Sequence, residues 1–137
     1  MYDGLVSTAQ RLFVGYGTVI VVVGFVLGTV LGASRMKAPA ARNLATAHVE
    51  TLMQAAMHFG LAFVVGIVGF HSTAATWAAL LLVVGSAMQA AGVTLNWLTK
   101  TGDQFAQRSP GFMINSASTF VMWPGLLLAA WGILTRL

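Results

Sequence analysis

The sequence predicts an all-α integral membrane protein, a single bundle of four transmembrane helices, and three observations carry that prediction. The chain is 58% hydrophobic and only 7% charged over 137 residues, whereas a soluble domain carries about 25% charged residues. Its mean hydropathy is +0.83. Long apolar runs nearly free of charge alternate with short polar connections. A spanning helix needs about 20 apolar residues, so four spans and their connections occupy residues 1–137 and leave no second domain.

Helix 1 is expected over residues 12–33, which hold no charged side chain and are bracketed by Arg11 and Arg35, the length and flanks of a span. The run is too long for a signal-peptide core and lacks an A-x-A site, so it is expected to be retained. Within it Gly24, Gly28 and Gly32 recur every four residues and place three side-chain-free positions on one face. Such a ridge lets another helix approach closely, either inside the subunit or between subunits. A basic connection with Arg35, Lys37, Pro39 and Arg42 follows.

Helix 2 is expected over residues 44–70 and helix 3 over residues 76–99. The short turn between them makes them antiparallel neighbours. Helix 4 is expected over residues 112–134, with Pro124 as a kink that neighbouring helices accommodate. The connections after helices 1 and 3 hold Arg35, Lys37, Arg42, Lys100 and Arg108, against Arg11 and Arg136 on the other side. The positive-inside bias therefore puts those two connections in the cytoplasm and both termini outside, in what is expected to be a bacterial inner membrane.

There is no cysteine, which excludes disulfides, thiolate metal sites, a cysteine nucleophile and covalent attachment of a c-type haem. Any haem would be held non-covalently. Lys and Arg outnumber Asp and Glu by seven to three. The basic residues flank helices instead of forming a patch interleaved with aromatics, so the expected partner is the lipid bilayer and not nucleic acid. Trp77, Trp97 and Trp131 fall towards span ends and fit interfacial anchoring.

The unusual chemistry lies in helix 2. With His48 at zero and about 100° per residue, Glu50 falls near about 200°, Gln54 near about 240°, His58 near about 280° and Thr51 near about 300°. Four polar side chains thus share one face. Glu50 is the only acid within any span, and an ionisable group at membrane depth is costly and marks a functional site. In helix 3, Gln89 and Asn96 lie seven residues apart with Ser86 on the same side, a second polar stripe. Set against the first, it would make a hydrogen-bonding cleft between helices. Asn115, Ser116, Ser118 and Thr119 of helix 4 would close its cytoplasmic mouth.

Plainer readings stand beside these. Gln89 and Asn96 would serve equally as interhelical hydrogen-bond glue. His71 sits in a turn, His58 reads as a structural histidine as well as a ligand, and His48 lies near a helix start where a headgroup-level histidine is ordinary.

The string L-A-T-A-H-V-E-T-L-M-Q-A-A-M-H-F-G-L-A-F, residues 44–63, resembles the small four-helix membrane isomerases that include styrene oxide isomerase and hydroxylaminobenzene mutase. In that family Ala-His is followed, six residues after the histidine, by an amide side chain. Here Ala47-His48 is followed by Gln54, where Asn is commoner. The segment Gly92-Val93-Thr94-Leu95-Asn96-Trp97-Leu98 is similar to the family's Asn- and aromatic-bearing third helix.

The resemblance implies a homotrimer that binds ferric haem b through His48 as axial ligand. Thr51 and His58 would lie on the cofactor side, and Glu50, Gln54, Gln89 and Asn96 would be catalytic. It implies iron acting as a Lewis acid on a small aromatic substrate bearing oxygen, in a redox-neutral rearrangement. Glu50, two residues after the histidine, favours an arylhydroxylamine mutase giving an aminophenol, with epoxide-to-aldehyde isomerisation as the alternative.

Two other classes compete. A non-catalytic haem anchor subunit would clamp haem between two histidines, but His48 and His58 share one helix about 15 Å apart along its axis. A small proton-coupled transporter would carry its acid in the first span, and helix 1 has none.

Overall fold

A computed structural model describes residues 6–35, 42–104 and 106–137; Lys37 and Pro39 of the first connection lie outside the described residues. Four helices follow one another: α1, Thr8–Arg35; α2, Arg42–Ile67; α3, Thr73–Leu98; and α4, Pro110–Leu134. All four are long and apolar enough to cross a membrane. Among the described residues there is no strand.

Local chemistry sets the helix ends. Ser7 and Gln10 form a reciprocal capping box: the Gln10 amide N–H donates to Ser7 Oγ at 3.2 Å and the Ser7 N–H donates to Gln10 Oε1 at 3.0 Å. α2 stops three residues before the expected end because Gly69 takes a left-handed φ of 64°. The Phe70 N–H then returns to the Val65 carbonyl at 3.1 Å and the Gly69 N–H to that of Gly66 at 3.4 Å, the pair of bonds that closes a Schellman motif. Ser72 caps α3 by accepting from the Ala75 N–H, so that helix starts earlier than expected. Ser109 caps α4 in the same way at Phe112, with Pro110 in its first turn. α4 runs on through Pro124.

α1 and α2 pack antiparallel along their whole length. Gln10 Nε2 donates to the Ala62 carbonyl at 3.2 Å, the Phe59 ring lies on Gly17, and Thr51 and Leu52 lie on Gly24. Gly24 and Gly28 of the glycine ridge thus face α2 of the same chain, whereas a Cβ built at Gly32 would meet nothing within 4 Å among the described residues. α3 and α4 form the second close pair, with Gly92 against Gly111 and Gly125 against Leu81 and Leu82. α3 also joins the two pairs by packing on α1 and α2. The core between α1, α2 and α3 is built from Phe13, Ala62, Val65, Ala78, Ala79 and Leu82. The outer faces expose Phe25, Phe63, Phe120, Trp123, Leu127 and Trp131, an apolar surface far beyond what water tolerates and suited to lipid.

Candidate functional site

The polar residues of α2 meet different neighbours. His48 and Thr51 turn to α1. The His48 ring packs on Gly28, where a Cβ would stand 2.7 Å from Cε1 and 3.0 Å from Nδ1. His48 Nδ1 lies 2.8 Å from the Gly24 carbonyl oxygen. A carbonyl only accepts, so Nδ1 carries the hydrogen and donates, which leaves the lone pair on Nε2. This is the arrangement that orients metal-bound histidines, one ring nitrogen tied to a backbone carbonyl and the other free to ligate. Thr51 is fully buried and donates back to the Ala47 and His48 carbonyls at 2.9 and 2.8 Å.

Glu50 turns the other way, into a cavity of about 500 Å³ between α2, α3, the connection after α3 and the start of α4. Gln89 on α3 stands beside its carboxyl. Thr46, Asn96, Gln104 and Asn115 also line this cleft, and Arg42 stands at its end. The expected stripes meet at Glu50, which faces Gln89; beside them Asn43 Nδ2 donates to the Asn96 carbonyl at 3.4 Å.

Asn96 itself is engaged in structure. Its Nδ2 donates to Gln104 Oε1 at 2.7 Å and its Oδ1 accepts from Ser109 Oγ at 2.6 Å, which ties α3 to the connection and to the cap of α4. Asn43 Nδ2 also donates to the Thr101 carbonyl at 2.5 Å. Asn43, Gln104 and Ser109 were not among the expected site residues, and nothing local in the sequence marks a network that spans 58 positions.

Below the cleft the seam between α2 and α3 stays polar. Gln54 is 7% exposed and neither its Nε2 nor its Oε1 has a partner among the described residues. One turn further, His58 is fully buried; its Nδ1 donates to the Gln54 carbonyl at 2.7 Å, and the backbone of Leu82 also engages the ring. Tyr16 of α1 meets the His58 ring edge-on at 4.7 Å between centroids, and Phe13 lies at 5.7 Å. The Tyr16 hydroxyl, Ser86 Oγ and Asn115 Oδ1 are likewise buried with no hydrogen-bond partner among the described residues.

An unsatisfied buried polar group costs about 1–3 kcal/mol. Tyr16 is the residue of this set that sequence reasoning missed. The available signal was a tyrosine inside a span, whose hydroxyl needs a partner. Its other side lines a lipid-facing groove between α1 and α3, walled by Ile20, Ala87, Ala90 and Ala91.

The structure therefore brings Glu50, Gln89 and Asn96 to one cleft, places Gln54 and His58 beneath it in the core, and puts His48 and Thr51 on the α1 side. None of the cavities described above is lined by His48. Among the described residues no group of three His, Cys, Asp or Glu is placed to hold a metal ion by itself. No protein family, curated protein or solved structure matches the chain.

Proposed function

We propose that the chain is a membrane-embedded, redox-neutral isomerase of small aromatic compounds bearing oxygen, with an arylhydroxylamine-to-aminophenol mutase first and an epoxide-to-aldehyde isomerase as the alternative. The observation that carries this reading is the fixed imidazole of His48: Nδ1 held on the Gly24 carbonyl, the ring flat on Gly28, and Nε2 left with its lone pair. His48 Nε2 would hold haem b through this one imidazole nitrogen, for chemistry at the oxygen of the substrate. When bound, ferric haem b supplies a Lewis acid for that oxygen.

The chain's own residues orient the ligand. Gly24 sets the tautomer, Gly28 provides the space, and Thr51 packs the turn beneath. The cradle for the rest of a macrocycle would come from a second copy on the α1–α2 face, in keeping with a homotrimer. We assign the α1–α2 and α3–α4 connections to the cytoplasmic side of a bacterial inner membrane from their Arg and Lys residues.

The test is product analysis. Membranes containing the wild type are expected to convert phenylhydroxylamine to aminophenol, or styrene oxide to phenylacetaldehyde, and His48→Ala is expected to do neither. Unchanged conversion by His48→Ala refutes the reading. A small proton-coupled transporter is a second reading, favoured because Glu50 faces a cleft on the side of α2 away from His48. Proton-coupled flux lost in Glu50→Gln, with no isomerase activity in the parent, would establish it instead.

A further inference from the structure

We infer that the groove between the start of α2 and the end of α3 is a headgroup site for an anionic phospholipid, whose phosphate is held by Arg42 and Lys100. It does not depend on what His48 holds.

The short turn between the antiparallel helices α2 and α3 leaves the first residue of α2 and the last of α3 at the same end of the bundle. The two ends are fastened together: Asn43 Nδ2 donates to the Thr101 carbonyl at 2.5 Å, and the Thr101 N–H donates to the Asn96 carbonyl at 3.0 Å. Beside this tie lies a cavity of about 580 Å³, walled by Arg42, Asn43, Trp97, Leu98 and Lys100. That volume falls in the range of about 300–1,000 Å³ usual for small-molecule sites. Arg42 and Lys100 are both exposed, and among the described residues neither side chain has an ion-pair or hydrogen-bond partner. The described residues that line the groove include no acid; Asp103 lines the neighbouring cleft, which shares Arg42.

Lys100 carries an independent sign of use. It follows the C-cap Thr99 with a left-handed φ of 54°, at the position where helices commonly place glycine because a Cβ is strained there. A lysine kept at such a position points to a use of its side chain.

Below the two cations the groove is apolar. Leu98 is 62% exposed, and Trp97 offers an indole with apolar faces and one N–H donor, the side chain that settles at headgroup level. Two cations beside an apolar wall complement a phosphate joined to glycerol and acyl chains. A free inorganic anion would leave the apolar wall in water, and a choline headgroup would bring its own cation against Arg42 and Lys100. The groove lies at the ends of two helices long and apolar enough to cross a membrane. Basic pockets between such helices bind anionic headgroups.

Lys100→Gly separates binding from folding, because it removes the ammonium and relieves the strained backbone at once. Delipidated protein in detergent is titrated with phosphatidylglycerol and with phosphatidylcholine of the same acyl chains, and bound lipid is counted by native mass spectrometry. Each basic residue near an anionic lipid is worth about fivefold in binding, so phosphatidylglycerol is expected to bind at least about tenfold more tightly than phosphatidylcholine. Arg42→Gln and Lys100→Gly are each expected to weaken that binding about fivefold, and together about 25-fold. Arg11→Gln removes the same charge at the opposite end of the bundle, well beyond the screening length, and is expected to change it less than about twofold. Equal affinity for the two lipids, or a loss in Arg11→Gln as large as in Arg42→Gln and Lys100→Gly, would overturn the site. Displacement of phosphatidylglycerol by millimolar inorganic phosphate would overturn the lipid as its ligand in favour of a soluble anion.

Discussion

Replacing Gly28 with alanine adds one methyl group at the point where α1 supports the His48 ring. The new Cβ would stand 2.7 Å from Cε1 and 3.0 Å from Nδ1, while carbon atoms in contact prefer about 3.5–4.0 Å. The ring must therefore retreat by about 1 Å. Its hydrogen bond to the Gly24 carbonyl is 2.8 Å long, and such a shift takes it beyond the useful range of N–H···O bonds. Losing that bond costs about 1 kcal/mol and crowding a packed contact about 1–3 kcal/mol. The better helix propensity of alanine returns up to about 1 kcal/mol. Net destabilisation of about 1–3 kcal/mol follows.

On the proposed ligation by His48 the effect is expected to be sharper, because removing the partner that orients a ligating histidine lowers metal affinity by about 10–100-fold. Gly32→Ala is the matched control on the same ridge, since its new Cβ would meet nothing within 4 Å among the described residues. Thermal unfolding and haem titration of the two variants in detergent make the comparison. If Gly28→Ala matches Gly32→Ala in both stability and haem affinity, the argument that Gly24 and Gly28 position His48 is wrong.

Three other substitutions test the scaffold. Lys100 holds a left-handed φ of 54° at the end of α3, which costs an L-residue about 1–2 kcal/mol; Lys100→Gly is expected to raise stability by about 0.5–1 kcal/mol in a denaturant or thermal melt, after the greater chain entropy of glycine is subtracted. Asn96→Ala strips partners from Ser109 and Gln104 and is expected to lower stability by about 2–4 kcal/mol; a loss of activity without a loss of stability would make Asn96 catalytic instead. Gly132→Ala drives a methyl into the Phe70 ring, which is fully buried at the end of α2, and is expected to cost about 1–3 kcal/mol in the same melt.

The fold could be read from the chain because lipid imposes a simple rule, a run of about 20 apolar residues for each span. The errors at helix ends have local causes. The apolar pattern runs through Val68 to Phe70, so the end of α2 was placed too late, although Gly69 carried the signal of a left-handed cap. Ser72 carried the corresponding signal for the start of α3. The meeting of Glu50 with Gln89 follows from helical period and a short antiparallel turn.

Period alone could not say which neighbour each side of α2 would meet. Thr51 shares a sector with His58 on a helical wheel, yet it packs on Gly24 of α1 while Glu50 opens to the cleft. The same wheel placed His48 across the helix from Glu50, and the structure bears out that separation. Whether the glycine ridge worked within the chain or between chains could be decided only by tertiary packing, which turns Gly24 and Gly28 to α2 and leaves Gly32 open.

The most direct test of His48 as a haem ligand is the absorption spectrum of the purified protein, with and without the imidazole. The wild type is expected to show a Soret band, with ferric haem b extractable in about one copy per chain, and His48→Ala is expected to lack it. A colourless wild type reconstituted with excess haem, or a Soret band unchanged in His48→Ala, would contradict the account.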